Sequence, residues 1–129
     1  MEFELYPEVS ITEDRKYEVE AIGKDGNYTA IVVVTHFGHR CGYVGVPESH
    51  PAYNIHYNNL EHIDVHGGLT FSGGDAKYPI ETNGKMWWLG FDYAHYGDNP
   101  NIQNTKYVMS ECENLAEQLK IMEIKLLEE

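Results

Sequence analysis

The chain has 129 residues, of which 42% are hydrophobic, and this is enough for one domain with its own core, so we treat residues 1–129 as a single domain. Its 21 acidic and 9 basic residues give a formal net charge of -12, which repels phosphate backbones and argues against extended contact with DNA or RNA. Cys41 and Cys112 are too far apart for a C-x-x-C motif, so neither a zinc knuckle nor a thioredoxin-like site is expected. The acidic start MEFELYPEVS and the lack of a long apolar run predict a cytoplasmic protein with no export signal and no membrane partner.

A β-hairpin is predicted near the start of the chain. Residues 17–22 alternate, which favours a strand with Tyr17, Val19 and Ala21 on one face. An Asp-Gly step within residues 24–27 suits a tight turn, because glycine tolerates positive φ. The partner strand is predicted from about residue 28 to 36, with a centre that is apolar on both faces.

The middle of the chain is predicted to be mostly loop, because glycine and proline recur too often for a helix. Short ordered pieces are expected at residues 41–46, as a strand, and at 54–60, as one or two helical turns. Alternation at residues 62–66 predicts a strand with His62, Asp64 and His66 on one face. Further strands are predicted at 69–72 and at 86–93.

The last quarter of the chain predicts a long amphipathic helix, beginning after an N-cap at Asn104 or Thr105 and running to about residue 127. Apolar residues recur at helical spacing. They are Val108, Cys112, Leu115, Leu119, Met122 and Leu126. The predicted fold class is therefore α+β: a mainly antiparallel sheet with irregular Gly/Pro-rich loops, and one helix packed on the sheet or on a subunit interface. We expect a homo-oligomer.

Histidine and aspartate are concentrated in two stretches that are predicted to form one composite site. His62, Asp64 and His66 form one group, and Asp92, His95 and Asp98 follow the last strand. Imidazole and carboxylate together suit a divalent metal or general acid–base catalysis. If the protein is an enzyme, the catalytic candidates are His66, His95 and Asp92. The structural alternative is that these side chains cap turns and bind backbone groups.

Further ligand-binding candidates surround these stretches. Gly67 and Gly68 allow backbone N–H groups to approach an anion, although turn formation alone also explains them, and the spacing is not that of a P-loop. Strand alternation points Trp87 and Trp88 to opposite faces, so that one is core and the other is available for stacking. The complete set of ligand-binding candidates is Arg40, His50, Tyr53, Asp64, Gly67, Gly68, Thr70, Ser72, Trp88 and Asp98.

Three segments, GYVGVPESHPAY, DVHGGLTFSG and WWLGFDYAHYGD, occur in this order. Together they resemble a family of small phage- and prophage-associated proteins. The resemblance covers about residues 42–98 and, through SECENLAEQL, part of the helix. The family has no established activity, so the resemblance assigns no catalytic role. The chain departs from the family pattern where bulky Tyr93 and Tyr96 flank Ala94-His95, which predicts a narrower pocket.

The leading functional hypothesis combines this resemblance with the site. Small accessory phage proteins often act against host defence, and a pocket of glycine turns, aromatics and His/Asp suits a nucleotide-like ligand. We expect a protein of the host cytoplasm that sequesters a cyclic nucleotide or an ADP-ribose-type immune signal and needs no cofactor. The first alternative is a phosphodiesterase-like hydrolase, in which a divalent metal would supplement the few available cations. The second is an acidic protein-interaction module that acts through the helix or through its acidic surface.

Overall fold

The computed structural model describes residues 3–6, 17–74, 79–80 and 85–128. Within these ranges six strands form one antiparallel sheet in the order β1-β2-β3-β4-β6-β5, and one long helix follows. The strands are β1 (Glu4–Tyr6), β2 (Tyr17–Asp25), β3 (Tyr28–Thr35), β4 (Arg40–Pro47), β5 (Phe71–Gly73) and β6 (Met86–Asp92), and the helix α1 is Thr105–Glu128. A single 3-10 turn covers Tyr57–Asn59. The predicted α+β class, with an antiparallel sheet and one C-terminal helix, is confirmed.

The predicted hairpin is formed by β2 and β3, with Gly26 at φ +59° in the turn. One detail of the prediction is wrong. A β-bulge inserts Glu20 between the pairs Val19–Val33 and Ala21–Val32. Because a bulge adds one residue on one strand, Val19 and Ala21 face opposite sides of the sheet.

The sheet buries apolar side chains on both faces. On the face covered by α1, residues such as Val32, Val44 and Leu89 are fully buried. The opposite face holds a second cluster that includes Ile31 and Trp88. Trp87 packs on the helix side and Trp88 on the other side, so the predicted divergence of the two indoles is confirmed.

Helix α1 begins as predicted, because the Asn104 side chain accepts a hydrogen bond from Tyr107 N at 3.0 Å. The apolar stripe is buried from Val108 to Leu119, where the helix crosses β2, β3 and β4. Leu126, the last residue of the stripe, is 51% exposed. The apolar side chains in the final two turns of α1 are therefore only partly buried.

The prediction of a strand at residues 62–66 is wrong. The segment is irregular, and its backbone bonds to side chains of α1: Gln118 binds both the N–H and the C=O of Asp64, and Glu111 accepts from His66 N. Ile63 and Val65 are buried against the helix, which explains the alternating pattern without a neighbouring strand. The strand predicted at 69–72 forms slightly later, as β5.

Candidate functional site

Two stretches meet beside the end of β6. The first is the irregular segment after Leu60, which the helix side chains hold in place. The second is the turn that follows Asp92, which is closed by a hydrogen bond from Asp98 N to His95 O at 3.0 Å. Their side chains form what we call the histidine–aspartate cluster, comprising His66, Thr70, Asp92, His95 and Asp98. The two stretches meet through His66, Asp92, His95 and Asp98, whereas Asp64, which is predicted to join them, does not.

The first pair in the cluster is His66 with Asp98. His66 Nε2 lies 2.8 Å from Asp98 Oδ1, and the other carboxylate oxygen accepts a hydrogen bond from His95 N at 2.9 Å. The Asp98 side chain is only 8% exposed, whereas that of His66 is 29% exposed. The imidazole of His66 also stacks on the Tyr93 ring, with centroids 4.4 Å apart. This pair is therefore held rigidly, with the imidazole partly open to solvent.

The second pair is His95 with Asp92. His95 Nε2 lies 3.3 Å from Asp92 Oδ1, and Asp92 Oδ2 accepts a hydrogen bond from Thr70 Oγ1 at 2.9 Å. Gly67 makes this arrangement possible, because a Cβ at that position would collide with His95 Nε2. The centroids of the His66 and His95 rings are 5.7 Å apart. Two imidazoles, each beside its own carboxylate, thus lie next to each other.

The arrangement leaves one nitrogen of each imidazole without a partner among the described residues. His66 Nε2 is hydrogen-bonded to Asp98, whereas His95 Nε2 is an ion-pair neighbour of Asp92 at 3.3 Å. A neutral imidazole that carries its proton at Nε2 has a lone pair at Nδ1, where it can accept a proton. Because the His66 and His95 rings are 5.7 Å apart, both can reach the same substrate molecule, one as general base and the other as general acid. Within the described ranges, no group of three or more His, Cys, Asp or Glu side chains is arranged to hold a metal ion.

Tyr93 and Glu111 also belong to this region: the sequence indicates Tyr93 only as a bulky residue that narrows the pocket, and it does not indicate Glu111. The Tyr93 hydroxyl is buried and has no hydrogen-bond partner in the described part of the chain. Burial, followed by repulsion from Glu111, raises the pKa of this hydroxyl far above its ordinary range, so it stays protonated. Strand alternation after Phe91 predicts that Tyr93 is inward-facing. No sequence signal identifies Glu111, which lies 45 residues from its partner His66.

Arg40 is near the cluster in the fold but its guanidinium is occupied. It pairs with Glu20 at 2.6 Å and donates to the carbonyl oxygens of Pro100 at 2.9 Å and Gln103 at 3.3 Å. Glu20 also accepts from Thr105 Oγ1 at the start of α1. These contacts tie the bulge in β2 to the loop before the helix, so the described Arg40 contacts are structural.

Two of the other predicted ligand-binding residues are buried in the core. His50 is 4% exposed, and its ring nitrogens contact Leu119 O at 2.8 Å and Ala52 N at 2.9 Å. Burial lowers the pKa of His50, and this effect outweighs the hydrogen bond to Leu119, which raises it. Trp88 is fully buried, on the sheet face away from α1. Neither side chain presents a surface to solvent.

The remaining predicted residues lie in other contacts. The Tyr53 ring packs near Trp87 with centroids 6.3 Å apart, and Ser72 Oγ accepts from Tyr57 N at 3.1 Å. Asp64 is exposed, and its described hydrogen bonds run from its backbone to α1. Gly68 follows Gly67 in the turn, at φ +79°. The structure therefore brings together His66, Gly67, Thr70, Asp92, His95 and Asp98 from the predicted set.

No protein-family model matches the chain, and no curated protein or solved structure matches it either. No helix in the described ranges is long and apolar enough to cross a membrane.

Proposed function

We propose that the protein is a hydrolase that cleaves a phosphodiester or related linkage in a small nucleotide-derived signal. The observation that carries the proposal is the pairing of His66 with Asp98 and of His95 with Asp92, with the two rings 5.7 Å apart. A carboxylate beside one imidazole nitrogen favours the tautomer that leaves the other nitrogen free for proton transfer.

The proposed step uses the two histidines in complementary protonation states. The oxygen of a water molecule attacks the phosphorus atom while one neutral imidazole takes the proton of that water at Nδ1. The bond from phosphorus to the leaving oxygen breaks, and the leaving oxygen takes a proton from the other imidazole, which starts as imidazolium. Because Arg40 is bound to Glu20, the imidazolium is the proposed source of positive charge.

Sequestration of the intact ligand is the second candidate, and one observation favours it. The Tyr96 ring beside His95 is fully exposed, and an aromatic face in that position can stack on a nucleobase. In this version the cluster provides hydrogen bonds and no turnover. In both versions we propose an anti-defence role in the host cytoplasm, on the basis of the resemblance to phage-associated proteins.

The decisive experiment measures the fate of the ligand. The purified protein is incubated with a panel of cyclic mononucleotides, cyclic dinucleotides and cyclic ADP-ribose, with and without Mg²⁺ or Mn²⁺. It is then denatured, and the released nucleotides are separated by chromatography and weighed by mass spectrometry. A product heavier by one water supports hydrolysis. Recovery of an intact, protein-bound nucleotide supports sequestration and contradicts hydrolysis.

Matched variants connect the result to the cluster. His66→Gln and His95→Gln should lower turnover at least about 100-fold, the range expected when a general acid or base is removed. His36→Gln is the control, since His36 is exposed and lies outside the cluster. Full turnover in either cluster variant would remove that histidine from the mechanism.

A further inference from the structure

The end of α1 carries apolar side chains that point away from the sheet. Ile121 is 45% exposed, Ile124 46% and Leu127 82%. Positions 121, 124 and 127 follow one another at helical spacing, so they form a stripe on the outer side of the helix. A shallow groove of about 220 Å³ runs beside the stripe, lined by Ile121, Met122, Lys125, Gln118 and His62.

The order of residues along this stretch indicates which partner would cover the stripe. Residues 120–128 read KIMEIKLLE. Reversal of this segment about Ile124 places every apolar residue on an apolar residue and every charge on the opposite charge. The matched positions are Lys120 with Glu128, Ile121 with Leu127, Met122 with Leu126, and Glu123 with Lys125.

We propose that residues 120–128 form an antiparallel interface with the same residues of a second copy of this chain. A two-fold axis beside Ile124 brings the outward-facing Lys120, Ile121 and Ile124 opposite Glu128, Leu127 and Ile124 of the second copy, which is the self-complementarity that a symmetric dimer requires. Met122 packs against the core and Glu123 accepts a hydrogen bond from Tyr28, so these two positions stay outside the interface. Lys120 of one copy then lies near Glu128 of the other, and Leu127 approaches the groove beside Ile121. A second copy in the parallel direction would not place each charged residue opposite a residue of the other charge.

The charge pattern fits a second copy better than another acidic or basic partner. The whole chain has a net charge of -12, so two copies repel one another at most orientations. Within residues 120–128 the two lysines balance the two glutamates. The repulsion is therefore smallest where these segments meet. The interface is shorter than that of a permanent dimer, so we expect association that depends on protein concentration.

The first test is the oligomeric state of the full chain by sedimentation velocity over a series of concentrations. The wild-type protein should shift from monomer to dimer, and Ile124→Glu should remain monomeric throughout. Because Ile124 is 46% exposed on a helix, this change leaves the monomer folded, which circular dichroism checks. Ile102→Glu, at a side chain that is 61% exposed elsewhere, is the matched control and should dimerise like the wild type. A wild type that stays monomeric overturns the proposal.

Two further variants test the antiparallel register. Glu128→Lys places like charges together at two symmetric positions and should weaken the dimer about threefold or more, while the double variant Lys120→Glu/Glu128→Lys should restore it. Cysteine cross-linking gives an independent readout, since Cys41 and Cys112 are buried. Ile121→Cys should cross-link to Leu127→Cys in a mixture of the two variants. Efficient cross-linking of Leu127→Cys to itself would indicate a parallel arrangement and would overturn the proposal.

Discussion

His50 and His66 both anchor a loop near helix α1, yet their surroundings give them different capabilities. His50 is 4% exposed, and both of its ring nitrogens are satisfied by backbone groups, Leu119 O and Ala52 N. The side chain of His66 is 29% exposed, with one nitrogen on Asp98 and the other without a partner among the described residues. The contrast shows that an imidazole becomes available for chemistry when the fold satisfies only one of its nitrogens.

The largest effect on stability is expected from removing His50, the buried histidine of the two. His50→Ala should lower the free energy of unfolding by about 2–4 kcal/mol, because it leaves a cavity and an unsatisfied Ala52 N–H. Urea denaturation measures the change. The exposed His36→Ala is the control and should stay within about 0.5 kcal/mol of the wild type. A loss below 1 kcal/mol for His50→Ala would mean that this histidine is not a packing residue.

The two histidine sites also differ in how much of them the sequence predicts. Alternation and helical spacing are strong local signals, so β4, β6 and α1 were predicted within a few residues. The grouping of His66 with Asp98 followed from the concentration of His and Asp in two stretches. The burial of His50 was not predicted, because its partner Leu119 lies 69 residues away and contributes only a backbone oxygen.

Three errors have specific physical causes. The bulge at Glu20 reverses the side-chain alternation of β2, and no local pattern marks it. The alternation at Ile63 and Val65 reflects packing on α1, which buries every second side chain as a strand does. Alternation correctly predicts that Trp87 and Trp88 lie on opposite faces, but Trp88, the predicted ligand contact, is the fully buried one of the two. The sequence does not show which of the two indoles is more deeply buried.

The second prediction tests the contacts of Arg40, which hold the loop before the helix near the histidine–aspartate cluster. Arg40→Gln removes the ion pair to Glu20 and weakens the bonds to the carbonyls of Pro100 and Gln103. We expect a loss of about 1–2 kcal/mol in the free energy of unfolding, since partly buried hydrogen bonds to a charged group are lost. Hydrogen exchange of residues 99–104 should become faster. Lys106→Gln, at an exposed cation in the same part of the chain, should leave both unchanged.

The third prediction separates backbone strain from the position of His95. Gly67 and Gly68 have similar positive φ values, +69° and +79°, so alanine strains the backbone at both and should cost about 1 kcal/mol in each case. A Cβ at Gly67 would collide with His95, whereas one at Gly68 meets no atom within 4 Å. Gly67→Ala should therefore lower nucleotide turnover about tenfold or more relative to Gly68→Ala. The two variants should unfold at similar temperatures, because the His95 side chain is 39% exposed and can turn away from the new methyl group. Equal turnover in the two variants would show that the position of His95 does not matter for activity.

The smallest effect is expected on the pH dependence of the free energy of unfolding, through the titration of His50. Burial lowers the pKa of His50 in the folded protein. In the unfolded chain a histidine has a pKa of about 6.5, so the unfolded chain binds the proton more readily. The stabilisation is complete above that unfolded value and is lost as the pH falls toward the lower folded value. Urea titrations between about pH 7.5 and 5 should show a smaller acid-induced loss of stability in His50→Gln than in the wild type. His36→Gln leaves the contacts of His50 in place and is the control, which should keep the acid-induced loss of stability. If His50→Gln also reproduces it, the acid sensitivity has another origin, and the contrast between the buried and the partly exposed histidines is one of packing alone.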